Sequence, residues 1–226
     1  KFASPEPVFR FLVPAFLIYT MIVAAYNRWY LKTTNKYNFW IALRPILLLF
    51  SSFGVFLILP NEFFRGMFFI ASVGIITFFE IILGVFAENL SLSETLLITF
   101  GIFFGFFAAF NYSPAYQPVY LIGVFLGAAL AARSFYEFSS VPAKAKIIGA
   151  VAIGLFCGEL YWVLNFLHFH YSVLSIFLFN VFYFCLILNY YHLFQNLNFK
   201  KIQLHLFLIL TSFLLVLVTT PWTIAS

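Results

Sequence analysis

Aspartate is absent from this sequence of 226 residues, and charged residues make up only 8% of it. Soluble globular domains carry roughly 25% charged residues. Hydrophobic residues amount to 64%, and the mean hydropathy is +1.04. A water-soluble fold of this size could not bury so much apolar surface, so lipid must be the solvent for most of the chain. This composition excludes an ordinary soluble enzyme and argues against nucleic acid as a partner, although Lys and Arg outnumber Glu.

The motifs of common catalytic and metal-binding sites are also missing. The sequence contains no glycine-rich phosphate loop, no His-Glu-x-x-His and no Gly-x-Ser-x-Gly. Cys157 and Cys185 lie inside apolar runs, without the spacing of a zinc knuckle or a redox pair, so we interpret them as buried hydrophobic residues. His168 and His170 have no further metal ligand near them in the sequence. We therefore predict no metal site, and the sequence identifies no cofactor and no catalytic residue.

The chain consists of about eight apolar runs, each close to the roughly 20 residues that cross a bilayer as a helix. The runs lack the alternation of outer-membrane strands. We predict an all-α integral membrane protein, a single transmembrane domain over residues 1–226 with short loops. The predicted spans are Val8–Ala25, Phe39–Leu59, Gly66–Ala87, Thr95–Phe110, Val119–Phe138, Ile147–Leu167, Ser172–His192 and Gln203–Thr220.

Basic residues set the orientation, because cytoplasmic loops carry an excess of Lys and Arg. The odd-numbered loops and adjoining helix ends hold most of them: Arg28, Lys32, Lys36, Arg44, Arg133, Lys144, Lys146, Lys200 and Lys201. Lys1, Arg10 and Arg65 lie on the other side. We predict a protein of the plasma or inner membrane, with Lys32, Lys144 and Lys200 in the cytoplasm and both termini outside.

Small residues recur every four positions on three consecutive predicted helices. Such rows allow helix backbones to approach closely in lipid. Packing within the chain is the favoured interpretation, and self-association or association with another protein is the alternative. The rows are Gly101, Gly105 and Ala109; Gly123, Gly127 and Ala131; and Ala150, Gly154 and Gly158.

A first polar cluster is predicted in the cytoplasmic half of the membrane. Thr77 and Glu80 lie on one face of the third predicted span, and Arg44 lies about five residues inside the second span, at a similar depth. We predict contact between Arg44 and Glu80, with Arg133 as a reserve partner. The cluster is either a structural ion pair or a cytoplasm-facing vestibule for an anionic group.

A second polar cluster is predicted in the outer half. Glu159 and Asn180 lie at similar depths in consecutive predicted spans, so the Asn180 amide can donate to the carboxylate. Trp162 and Asn165 follow one and two turns toward the outer face. Either Glu159 is a neutral, hydrogen-bonded group, or it serves a proton or cation relay of the kind found in transporters.

The segment Gly-Glu-Leu-Tyr-Trp-Val-Leu-Asn-Phe-Leu-His-Phe (Gly158–Phe169) resembles a group of uncharacterised bacterial multi-span membrane proteins. Those proteins share a Glu, then a Trp, then a Phe-Leu-Pro-Phe turn. His168 replaces the Pro here. The resemblance implies a multi-span fold and no particular activity.

Three functions follow from these patterns. The leading hypothesis is a small transporter- or channel-like protein that uses the intramembrane carboxylates. The alternatives are a non-catalytic scaffold subunit of a membrane complex and an enzyme acting on a lipid-linked substrate. A continuous polar cavity between the clusters would favour transport. An opening toward lipid beside Arg44 and Arg133 would favour the enzyme. A dry interior would favour the scaffold. Membrane lipids are the expected surroundings in each case.

Overall fold

The computed structural model describes residues 39–59, 62–83, 87–138, 141–167, 169–193 and 199–219, together with isolated positions between 14 and 29. Within these ranges every regular element is helical, as predicted. The helices are α1 (Phe39–Ile58), α2 (Glu62–Leu83), α3 (Ala87–Tyr112), α4 (Gln117–Phe135), α5 (Ala143–Leu164), α6 (Tyr171–Leu193) and α7 (Phe199–Thr219). Short 3₁₀ turns, Pro114–Tyr116 and Tyr136–Phe138, precede and follow α4.

Four segments of the described chain are long and apolar enough to cross a membrane: Leu92–Asn111, Pro114–Phe135, Ala143–Leu164 and Tyr171–Leu193. They correspond to the fourth to seventh predicted spans. α1, α2 and α7 hold the shorter apolar stretches Leu43–Phe56, Phe64–Ile75 and Ile202–Val216. The apolar helical character of the chain is confirmed, whereas the number of eight spans is not. The first predicted span, Val8–Ala25, lies largely outside the described residues.

α3 begins well before the predicted start of its span. The sequence pattern placed Glu94 in a loop and began the helix at Thr95, because a charge normally marks the end of an apolar run. The helix instead begins at Ala87, and Glu94 is buried within it. A charged residue can lie inside the bundle here because Arg44 of α1 neutralises it.

The bundle is organised around α3, which packs against α1, α2, α4 and α6, while α4 also packs on α5 and α6 on α7. The core at the centre is aromatic and aliphatic. The Phe103 and Phe182 rings meet edge to face at 5.9 Å, and Phe107 lies 4.6 Å from the ring of Tyr161. Such ring pairs add to the stabilisation that comes from burial alone.

The rows of small residues hold these helices together. A Cβ on Gly105 would lie 3.1 Å from the Cα of Gly54, and one on Gly154 would lie 2.7 Å from the carbonyl oxygen of Phe125. The α1–α3 and α4–α5 backbones can approach this closely only without side chains at those positions. The predicted packing within the chain is thus confirmed. Association between copies or with other proteins through these rows stays a prediction.

Candidate functional site

Five charged side chains lie together at one end of the bundle, which we call the charged end: Arg44, Glu94, Arg133, Glu137 and Lys146. They come from the second turn of α1, the third turn of α3, the start of α5, the end of α4 and the 3₁₀ turn that follows α4. In the predicted topology this end faces the cytoplasm. Four helices therefore contribute to one buried polar layer.

Arg44 and Glu94 form a fully buried ion pair. Arg44 Nη1 donates to Glu94 Oε2 at 3.0 Å, and the two side chains are 1% and 0% exposed. Arg44 Nη2 donates to the main-chain oxygen of Ser134 at 2.9 Å. One guanidinium group thus connects α1 with both α3 and α4.

The remaining charges join α4, the 3₁₀ turn and α5. Arg133 Nη1 donates to Glu137 Oε2, and Lys146 Nζ lies 3.9 Å from Glu137 Oε1. The Arg133 guanidinium also lies over the Trp40 ring, 4.4 Å from its centroid, as a cation–π contact. Glu137 therefore balances two cations, and Trp40 covers one of them.

Counted as formal charges, the charged end holds three cations and two carboxylates, a net charge of +1. Removing an ion from water costs several kcal/mol, and a buried pair balances this only with good geometry and additional hydrogen bonds. The paired groups satisfy that condition in large part. Glu94 Oε1 and Arg133 Nε are among the buried polar atoms that have no hydrogen-bond partner in the described part of the chain.

The predicted cytoplasmic cluster is present only in part. Arg44 and Arg133 lie at the same end, as expected, but the side chains of Thr77 and Glu80 lie outside the described residues. The predicted contact between Arg44 and Glu80 therefore stays a prediction.

Sequence reasoning missed the acidic partners that the structure provides. The predicted spans leave Glu94 in a loop and place Glu137 near the end of Val119–Phe138 without a role, and Lys146 serves only to set the topology. One signal could have identified Glu137: it follows Arg133 by four residues, which is the spacing of a helical ion pair.

The predicted outer cluster is not a single site. Glu159 is exposed on the outward face of α5, and Trp162 is 50% exposed one turn further along. Asn180 is buried and its amide donates to Ser212 Oγ of α7 at 2.9 Å. No hydrogen bond joins Asn180 to Glu159, because Glu159 faces outward and Asn180 faces α7. The Asn165 amide donates to the Tyr161 main-chain oxygen at 3.0 Å and ends α5.

Apolar side chains fill the space between the two ends of the bundle. The buried positions of α3, α4 and α6 in this region are Ile98, Ile102, Phe103, Phe107, Val124, Ala128, Leu178 and Phe182. The hydroxyl of Thr99 is used within its own helix, where it donates to the Thr95 main-chain oxygen. Tyr161 donates to the main-chain oxygen of Phe106 at 3.1 Å. Other buried polar side chains are also bonded within the bundle: Ser51 donates to the Leu48 main-chain oxygen, and Asn180 donates to Ser212 Oγ.

Among the described residues, no three His, Cys or Glu side chains lie together in a way that could hold a metal ion. His168 lies outside them, and His170 shares a hydrogen bond of 2.7 Å with Ser172 Oγ. Comparison of the chain with protein-family models, with curated proteins and with solved structures found no match. By composition and structure, the chain is a helical, membrane-embedded protein.

Proposed function

We propose that the chain is a non-catalytic structural subunit of a membrane complex. The observation that supports this function is the apolar interior: ring pairs such as Phe103–Phe182 pack in the bundle between its ends. A transport pathway needs polar groups or water at membrane depth. A closely packed apolar bundle with an ionic layer is better suited to holding neighbouring subunits in place than to conducting a solute.

The charged end supports this interpretation as well. Arg44 connects three helices, and Glu137 connects the end of α4 with the start of α5. Polar groups at a single position can specify which helices pair and in which register. The charges would then serve the assembly of the bundle rather than a reaction.

Transport, the leading hypothesis from the sequence, is the second candidate. One observation favours it: Glu94 lies inside the span Leu92–Asn111, and its Oε1 atom is buried without a partner in the described part of the protein. A carboxylate in that position could take up a proton. Glu94 and Arg44 would be the first residues of such a pathway.

An enzyme acting on lipid-linked substrates is less well supported. Such an enzyme would expose its cationic groups to lipid or to a cavity. Arg44 is 1% exposed and Arg133 is 7% exposed, so neither side chain can reach a substrate without rearrangement.

Flux through purified protein in liposomes tests the proposal. A structural subunit should give no proton or cation flux above that of empty liposomes under an imposed gradient. Glu94→Gln should behave in the same way as the wild-type protein. Flux that is present in the wild type and lost in Glu94→Gln would overturn the proposal in favour of transport.

Purification from native membranes in a mild detergent provides the complementary test. A structural subunit should copurify with another membrane protein at a fixed stoichiometry. A chain that is recovered alone over a range of mild detergents would contradict the proposal.

A further inference from the structure

Glu159 is a carboxylate on an otherwise apolar outer face. It is exposed, and its neighbours on that face, Leu155 and Val163, are 53% and 52% exposed. No described residue forms a hydrogen bond or an ion pair with Glu159. The carboxylate therefore faces whatever surrounds the protein.

The depth of Glu159 makes lipid an unsuitable neighbour. α5 has 22 residues and ends at Leu164, so Glu159 lies about 8 Å from its outer end at 1.5 Å per residue. If the helix spans a hydrocarbon core of about 30 Å symmetrically, Glu159 lies about 6 Å inside that core. Carboxylates at such depth are rare in proteins and almost always have a polar partner.

A groove opens between α5 and α6 on the same side of α5. It has a volume of about 430 Å³ and is lined mostly by apolar side chains, among them Ala152, Phe156 and Leu188, with Asn189 and His192 at the end away from Glu159. Ala152, Phe156 and Glu159 follow one another at intervals of four and three residues, so they share one side of α5. Glu159 therefore lies about one helical turn beyond the groove, on the same side of α5.

We propose that this face binds a transmembrane helix of a partner protein that carries Lys or Arg at the level of Glu159. The apolar part of the helix fills the groove, and its cation pairs with the carboxylate. Trp162, half exposed one turn further out, adds a ring face that a cation can contact. This inference rests on the proposed function and names the chemistry of the partner.

Other occupants fit the face less well. A second copy related by a two-fold axis would present the same patch again, and the described neighbours of Glu159 on that patch, Leu155 and Val163, offer no cation. Acyl chains have no hydrogen-bond donor. Tyr19, a described residue of the first predicted span, contacts α2 instead, where its hydroxyl donates to the main-chain oxygen of Val73.

A synthetic leucine–alanine transmembrane helix provides the probe. One version carries a single Lys at the depth of Glu159, a second carries Leu there, and a third has the Lys moved by two turns. Energy transfer between labelled peptide and labelled protein in liposomes reports binding. We expect the first peptide to bind about tenfold more tightly than the other two, equivalent to about 1.4 kcal/mol.

Two variants show whether Glu159 is responsible. Glu159→Gln and Glu159→Leu should remove the preference for the Lys peptide while leaving thermal unfolding unchanged. Equal binding of all three peptides, or a preference that persists in both variants, would overturn the proposal. Energy transfer between labelled copies of the chain, lost on Glu159→Leu, would also overturn it by showing that a second copy occupies the face.

The outcome is independent of the flux measurement. If the wild-type protein shows no preference for the Lys peptide and liposomes show no flux, the partner-helix proposal fails but the structural-subunit proposal stands. Flux that depends on Glu94 would refute the structural subunit whatever the peptides do.

Discussion

Removing one member of the buried Arg44–Glu94 pair should destabilise the protein more than removing both. Glu94→Leu leaves the Arg44 guanidinium buried with its charge uncompensated by that carboxylate. Breaking a buried pair from one side typically costs about 3–5 kcal/mol, whereas replacing both members by apolar residues of similar volume is often neutral or stabilising. The full burial of both side chains places this pair at the upper end of that range.

The double variant Arg44→Met, Glu94→Leu retains one defect. The Ser134 main-chain oxygen, which accepts from Arg44 at 2.9 Å, loses that donor. A hydrogen bond of this kind contributes about 0.5–1.5 kcal/mol net. We therefore expect the free energy of unfolding of the double variant to lie within about 2 kcal/mol of the wild-type value. It should be clearly higher than that of Glu94→Leu.

Reversible unfolding in bicelles titrated with SDS measures these differences. Glu159→Leu is the matched control, because it removes the same type of side chain from an exposed position without an intramolecular partner. It should leave the free energy of unfolding of the isolated chain unchanged or raise it. Equal losses in the single and double variants would refute the reasoning, since the charge left behind would then carry no penalty.

Three further predictions concern packing, the α6–α7 contact and topology. Gly154→Ala should lower the free energy of unfolding by about 1–3 kcal/mol, since the added Cβ meets a backbone oxygen. Gly74→Ala, whose Cβ would have nothing within 4 Å, should be neutral or stabilising. Equal effects of the two substitutions would contradict the close approach of the helices at Gly154. Asn180→Ala should lower the free energy of unfolding by about 0.6 kcal/mol and at most by about 1.7 kcal/mol. A double-mutant cycle with Ser212→Ala should assign this loss to the hydrogen bond between the two side chains. Purely additive effects would contradict a contribution from that bond. In a variant without native cysteines, a cysteine at Lys144 should resist an impermeant reagent in intact cells, whereas one in the turn between α3 and α4 should react; the reverse pattern would invert the topology.

The positions of the central helices could be predicted from the sequence because an apolar run long enough to cross a bilayer has no other stable conformation there. The predicted spans Ile147–Leu167 and Ser172–His192 match α5 and α6 closely. The prediction was poorest at the start of α3. Hydropathy assigns Glu94 to water, and only a buried partner allows it to lie inside the bundle.

The candidate sites were predicted less completely, for a physical reason. Hydropathy and the positions of basic residues indicate how deep a side chain lies in the membrane. They placed Arg44 and Arg133 at similar depths, and the structure has both side chains at one end of the bundle. Depth says nothing about the rotation of a helix about its axis. Glu159 and Asn180 lie at comparable depths, yet one faces outward and the other faces α7.

The sequence by itself determined the class of this protein, because a chain with 8% charged residues and 64% hydrophobic residues is stable only with lipid around it. It also determined which residues could approach closely, since the glycine rows leave no side chains between helices. Only the tertiary structure decided which charges pair. Arg44 meets Glu94 because the Gly54–Gly105 crossing brings α1 against α3, and such a choice of neighbour depends on all the helix faces at once.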